Sequence, residues 1–177
     1  MATLFVDKID PQSGTSLEIG SSGDTLNLGA TSGGTLTNRP SFKVMLSSGQ
    51  DFSNETWTKI QVNTEVWDTD NAFDTSNYKF VVPTGKAGKY RFSFGGYMGS
   101  AVDNKIMAFR LYINDNADNT TYTQESLAGT SGAIPVSACV LNLSVGDEVC
   151  VYFYQNMGGT RSLSSSYMHF EGERLIS

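Results

Sequence analysis

Beyond residue 40 the chain alternates apolar and polar positions with a period of two. In "KYRFSF", Tyr90, Phe92 and Phe94 fall on one side and Lys89, Arg91 and Ser93 on the other. Successive side chains of an extended chain point to opposite faces, so this run predicts a strand with one dry face. "KIMAFRLYIND" sets Met107, Phe109, Leu111 and Ile113 against Ile106, Ala108, Arg110 and Tyr112. "DEVCVYFYQ" sets Val149, Val151 and Phe153 against Cys150, Tyr152 and Tyr154. Turn signals separate the runs: "PTGKAGK", "NDNADN", "SVGD" and "NMGGT". No stretch of helical length sustains a 3.6-residue period. Many short strands punctuated in this way predict an all-β sandwich or barrel.

Two of these strands carry more apolar surface than one core requires. Antiparallel sheets commonly keep one face dry and one wet. The run from Val149 to Tyr154 is apolar or aromatic on both faces, and the run from Ile106 to Ile113 is nearly so. A second dry face predicts burial against another copy of the chain. The residues that would meet it are Tyr112, Cys150, Tyr152 and Tyr154.

The first 38 residues read differently. "GTSLEIGSSGDTLNLGATSGGTL" is dominated by Gly, Ser and Thr and repeats a short apolar beat. Pro40 fixes its own φ and pushes Arg39 towards an extended shape, which suits a joint. The chain therefore divides into residues 1–38, an attachment or intertwined β segment, and residues 39–177, a globular head. The apolar inventory of the first part is Leu4, Phe5, Val6, Ile9, Leu17, Ile19, Leu26 and Leu28, with Leu36 beside the joint. Ordering each backbone costs roughly 1–2 kcal/mol, and so few side chains cannot enclose a core in one copy. They are expected to dock on another protein or to thread together with sister copies.

Composition narrows the partners. The 177 residues are 39% hydrophobic, with 10 Phe and 8 Tyr, which supplies one core. The net charge is −6 and the 12 Lys and Arg are scattered, so neither a phosphate-binding face nor a polybasic membrane patch is formed. No apolar run approaches the roughly 20 residues that span a bilayer. The opening "MATLFVDKIDPQSG" lacks the basic and apolar regions of a signal peptide, which predicts assembly in the cytoplasm.

Candidate chemistry is sparse. His169 is the only histidine, so a Ser-His-Asp or Cys-His site has one possible base, and it falls in a terminal strand opposite in phase to Phe170. Asp68, Asp70 and Asp74 are near one another in sequence but read as loop acids. No phosphate-binding loop or dinucleotide fingerprint is present. "NDNADNTTYTQE" puts Asn114, Asn116, Asp118 and Glu125 at the first, third, fifth and twelfth positions of a calcium loop. Asn119 stands where such a loop needs Gly, and no helices flank it, so the segment reads as a hairpin loop, with calcium its only candidate cofactor. The expectation is a protein without enzymatic activity.

The order of motifs in the head resembles the globular head of the complement one-q family, which belongs with the tumour-necrosis-factor ligands. The residues are Asn71, Phe73-Asp74, Lys79-Phe80, Pro83, Gly88 and Tyr90-x-Phe92, then Leu143, Gly146-Asp147 and Val149-x-Val151, and finally Phe170-x-Gly172. The resemblance runs from about Arg39 to the end. It implies an antiparallel jelly roll that forms homotrimers, with the strands of Cys139 and Cys150 in different sheets. Both thiols are then free, Cys139 packed with Leu141 and Leu143 towards the core, and Cys150 outward or on the trimer axis. Some heads of the family bind calcium near the trimer apex; no matching acidic constellation can be assigned here. The linker "PTGKAGKY" is longer than the family's, and no collagen-like repeat or leader precedes the head, which argues against a secreted animal member. Residues 14–28 resemble the leading part of bacteriophage fibre and appendage proteins. Together the halves imply a virion protein, a fibre or capsid decoration. Its N-terminus would dock on capsid or tail proteins, and its head would meet a host surface glycan or protein. A free-standing ligand or lectin-like protein and a glycan-degrading enzyme are the rival readings.

Overall fold

The computed structural model describes residues 39–129, 132 and 135–175. The attachment segment 1–38, with its docking candidates from Leu4 to Leu28, lies outside them. The described residues form fourteen short strands: β1 (Ser41–Met45), β2 (Gln50–Phe52), β3 (Thr58–Lys59), β4 (Thr64–Asp68), β5 (Phe73–Asp74), β6 (Lys79–Val81), β7 (Gly88–Gly95), β8 (Ile106–Ile113), β9 (Asn116–Ala117), β10 (Thr123–Ser126), β11 (Val136–Leu143), β12 (Glu148–Gln155), β13 (Arg161–Leu163) and β14 (His169–Arg174). One 3-10 turn, Asn119–Thr121, is the only helical element among the described residues.

The strands pair antiparallel into two main sheets. One has five strands in the order β11-β7-β14-β1-β4. The other runs β10-β8-β12-β6-β5, with β3 also paired to β12 and β9 to β8. A small sheet joins β13 to β2. Every inward set named from the alternation is buried: Tyr90, Phe92 and Phe94 on β7, Met107, Phe109 and Leu111 on β8, and Val149, Val151 and Phe153 on β12. Only Ile113, at the end of β8, is half-buried.

The centre of the sandwich is aromatic. Phe42 of β1 stacks on Phe80 of β6 with ring centres 4.9 Å apart and meets Phe73 and Phe170, each at 5.1 Å. Phe94 and Phe109 meet across the sheets at 6.4 Å. Gly172 of β14 lies between Phe42 and Phe92, its register partners. A Cβ there would stand 2.7 Å from both rings, so only glycine lets β14 sit in this packed centre.

Tight turns carry the strand ends. β8 and β9 are joined by Asn114 and Asp115, with φ of 50° and 62°. Two successive positive φ values make the two-residue hairpin turn whose twist matches the strands. Between β11 and β12, the Asp147 amide donates to the Ser144 carbonyl at 3.1 Å, and Gly146 has φ of 84°. A left-handed third position of this kind is where glycine costs least.

Candidate binding surfaces

The pairing of β8 with β12 sets Cys150 opposite Tyr112, Tyr152 opposite Arg110 and Tyr154 opposite Ala108. All four interface candidates from the sequence, Tyr112, Cys150, Tyr152 and Tyr154, thus share the outer face of the seven-stranded sheet. Tyr112 stacks on Tyr152 with ring centres 3.7 Å apart. Trp57, from the loop before β3, lies 5.4 Å from Tyr154 and 6.1 Å from Tyr122. The Arg110 guanidinium sits 4.3 Å from the Trp57 ring centre and 5.3 Å from that of Tyr112. It donates to the Asn119 side-chain oxygen at 2.7 Å and to the Tyr112 hydroxyl at 3.3 Å. Lys59 lies 6.0 Å over Tyr152.

The chain's own rings lie over this face, where Tyr112, Tyr152, Tyr154 and Trp57 are half-buried and Tyr122 is exposed. Cys150 is only 2% exposed and Ala108 is fully buried, although neither packs into the inter-sheet core. The rings contact one another and clamp one guanidinium, which stabilises them by cation–π attraction and stacking. Nothing in the local sequence around Trp57 marks it as part of this layer; only the fold brings β3 alongside β12.

The two thiols lie in different sheets and are free, Cys139 on β11 and Cys150 on β12. Cys139 is half-buried against the core rather than fully enclosed. Burial, and then the charge of Asp118, push its thiol up to about 11. Burial also raises Cys150, against an opposing pull from Lys59. Both are protonated at neutral pH, and a thiol rather than a thiolate is a poor nucleophile.

The remaining polar candidates serve the backbone. Asp68 accepts the Phe73 amide at 2.7 Å, and Asp74 accepts the Ser76 and Asn77 amides at 2.9 and 3.0 Å. The Asn77 side chain, first among several donors, holds the Asp74 carboxyl below its ordinary value. Asp70 faces Lys86 at 4.0 Å. His169 stands on the outer face of β14, opposite Gly95 and Met45, with a ring nitrogen 3.3 Å from the Tyr167 carbonyl.

The calcium candidates are spread over a turn and two elements. Asn114 donates to Asp147 at 2.8 Å and accepts the Glu148 amide at 2.9 Å. Asn116 donates to the Asn114 carbonyl. Asp118 caps the 3-10 turn, accepting the Thr120 amide at 2.8 Å. Glu125 lies on β10, opposite Met107. Among the described residues no group of three or more His, Cys, Asp or Glu is placed to hold a metal ion. No helix among them is long and apolar enough to cross a membrane.

The five-stranded sheet presents a different outer face. Lys43 pairs with Glu171 at 3.0 Å and lies 5.7 Å over Trp67, while Arg39 pairs with Glu173 at 3.5 Å. A shallow groove of about 450 Å³ runs between Ser41, Trp67, Arg91, Ser93, Glu171 and Glu173. Apolar side chains stay uncovered at both ends of this sheet. Val136 and Val140 of β11 are 56% and 55% exposed, and Val66 and Trp67 of β4 are 52% and 46% exposed. Alternation along "VSACVLNL" marks the inward set Cys139, Leu141 and Leu143 and says nothing of what would cover the outward valines.

No protein-family model matches the sequence, and no curated protein matches it. Solved structures do resemble the fold. The globular domain of zebrafish complement 1qA is 15% identical, with a TM-score of 0.53, and the match covers 75% of this chain and 94% of that one. Eiger TNF from S. frugiperda is 15% identical with a TM-score of 0.57, covering 78% and 92%. Murine APRIL is 14% identical with a TM-score of 0.57, covering 77% and 99%. The fold is an antiparallel jelly-roll sandwich of the kind seen in complement one-q and tumour-necrosis-factor heads.

Proposed function

We propose that this chain is a non-enzymatic recognition head that works as a homotrimer. Residues 1–38 carry it on a bacteriophage particle, as a fibre or capsid decoration, and the head meets a host surface glycan or protein. The observation that carries the reading is the sandwich itself, shared across nearly the whole length of a complement one-q head and two further structures, one of them a tumour-necrosis-factor protein. The chemistry agrees: the thiols are held protonated, and Asp68 and Asp74 are spent on backbone amides, which suits binding rather than turnover. The virion assignment rests on the likeness of residues 14–28 to phage appendage segments.

The test compares particles assembled with the full chain and with a chain lacking residues 1–38. The truncated chain is expected to stay folded by circular dichroism and to be missing from purified particles. Particles that still carry it would refute the docking role. A free-standing ligand is the second reading, favoured by the likeness to Eiger TNF. Under that reading the chain is recovered free and never with particles.

A further inference from the structure

Three neighbouring strands of the seven-stranded sheet build one face from aromatic side chains left outside the core. β10, β8 and β12 lie side by side, and their outward residues fall on shared rungs. Gln124, Ala108 and Tyr154 form one rung, Arg110, Tyr152 and Lys59 the next, and Tyr112 and Cys150 the one beyond. Tyr122 stands immediately before β10 and donates its hydroxyl to Gln124. Trp57 reaches across from the loop before β3, its ring 6.1 Å from Tyr122 and 5.4 Å from Tyr154. Ala108 and Cys150 are small and buried, so the rings lie over them as a broad floor.

Three properties of this floor select a ligand. The first is its mixed surface. The rings are half-buried, Tyr122 is 42% exposed, and no exposed aliphatic side chain accompanies them. A protein partner is best met by a packed apolar centre depleted in charge, whereas a guanidinium lies in the middle of this face. Flat rings with polar tips suit a pyranose, whose C–H bonds make one side apolar while its hydroxyls point outward around the edge. The second is a pair of planar amides with donors to spare. The Asn119 oxygen accepts from Arg110 and the Gln124 oxygen from Tyr122, and neither amide nitrogen has an acceptor among the described residues. A few convergent polar groups of this kind fix a ligand's orientation. The third is charge. The chain carries a net charge of −6, yet among the described residues Arg110 and Lys59 take part in no ion pair. Arg110 has neutral hydrogen-bond partners, and its Nε has none. Glu148 is taken by Lys79, and Asp118 by the turn it caps. Two cations among aromatic rings, with no carboxylate paired to them, call for an anionic ligand.

We infer that this face is the binding site for an acidic saccharide, a sugar chain bearing carboxylates. The inference rests on the recognition-head reading above and deepens it by giving the ligand class and its place. The apolar side of a sugar ring stacks on Trp57 and Tyr122. Its carboxylate lies towards Arg110 and Lys59, and its hydroxyls accept from the Asn119 and Gln124 amides. Arg110 already holds Trp57 and Tyr112, and Tyr112 stacks on Tyr152, so little side-chain freedom is lost on binding.

The test titrates the full chain by calorimetry with oligogalacturonate, alginate oligomers and sialyllactose, each beside its carboxyl-reduced form. Binding to at least one acidic member is expected, with roughly tenfold weaker binding to its reduced form. Tyr122→Ala and Trp57→Ala are each expected to weaken binding roughly tenfold, and Lys59→Gln less, with circular dichroism and sedimentation unchanged. Tyr122 and Gln124 are exposed, so Tyr122→Ala and Gln124→Ala probe the site even where Trp57→Ala fails to fold. Tyr167→Ala, which removes an exposed ring elsewhere, is expected to bind as wild type does. A chain that binds no acidic member, or binds both forms equally, overturns the inference. Binding that Tyr122→Ala and Gln124→Ala leave untouched places the sugar elsewhere and overturns it too. A variant that loses assembly together with binding puts a sister copy on this face, with the same consequence. The recognition reading has its own test in the particle experiment and survives each of these failures.

Discussion

Gly172 and Cys139 make opposite points about single positions. The glycine is required by contact: two phenyl rings occupy the space a methyl group would need. The motif residues near it do similar work. Tyr90 donates its hydroxyl to the Lys86 carbonyl at 2.6 Å, and burial pushes its phenol up to about 12. Cys139 is not required by shape, but its environment ties it to pH. Its thiol rises to about 11 in the fold from an ordinary value of 9.0. Below pH 9 both folded and unfolded thiols hold their proton, and the contribution to stability is complete. Above that pH the unfolded chain ionises first, so stability falls until the folded thiol ionises near pH 11. Denaturant midpoints are therefore expected to be level up to about pH 9 and to decline above it. Cys139→Ala should lessen the decline between pH 9 and 11 and leave the later one, from Tyr90, in place. An unchanged profile in the variant would show that the thiol is wetter than its packing implies. None of this is visible in "SACVLNL", where the alternation says only which side the thiol takes.

At the scale of elements, the turns at one end of the seven-stranded sheet act as a unit. Asn114 belongs to the β8–β9 hairpin, yet its side chain bonds both Asp147 and the Glu148 amide at the turn that links β11 to β12. Asn114→Gly keeps the left-handed backbone and deletes both bonds, which should cost about 1–2 kcal/mol in urea unfolding. Asn114→Ala should cost about 1 kcal/mol more, since alanine resists a positive φ. If the two variants were equally stable as wild type, the link between the turns would be without consequence. Calcium addition is expected to leave the unfolding midpoint unchanged, because Asn114 and Asp118 already bind protein partners. The hairpin was legible from "NDNADN" because Asn and Asp tolerate the left-handed region. Its tie to "SVGD" was not, since the two turns are more than 30 residues apart and meet only through the pairing of β8 with β12.

For the whole molecule, the question is where apolar surface remains after folding. Period-two patterning located the inward faces of β7, β8 and β12 and pointed to a surplus on the last two. In the folded chain Trp57, Arg110 and Lys59 pack over part of that surplus, and Tyr112, Tyr152 and Tyr154 stay half-buried. Among the described residues the exposed large apolar side chains are Val136 and Val140 at one sheet edge, Val66 and Trp67 at the other, and Tyr122, Val145 and Tyr167 elsewhere. If sister copies cover part of this surface, unfolding is linked to assembly by mass action. The melting temperature should then rise by a few degrees for each tenfold rise in protein concentration. Melting that is independent of concentration would point to a chain that is stable alone.

By itself, the sequence determined that this head is a β-sandwich and which side of its long strands faces inward. Side-chain alternation is a local property of an extended chain, and turn residues act over two to four positions. The ordered motifs extended that to the jelly-roll fold, because Phe-x-Gly and Tyr-x-Phe are demands of one crowded core. Only the tertiary structure decided which outer surface is bare. Exposure depends on which strands become neighbours and which become edges, and that is set by contacts between residues distant in the chain. Trp57 reaches Tyr154, and among the described residues β11 has no partner on its far side, for reasons no short window of sequence contains.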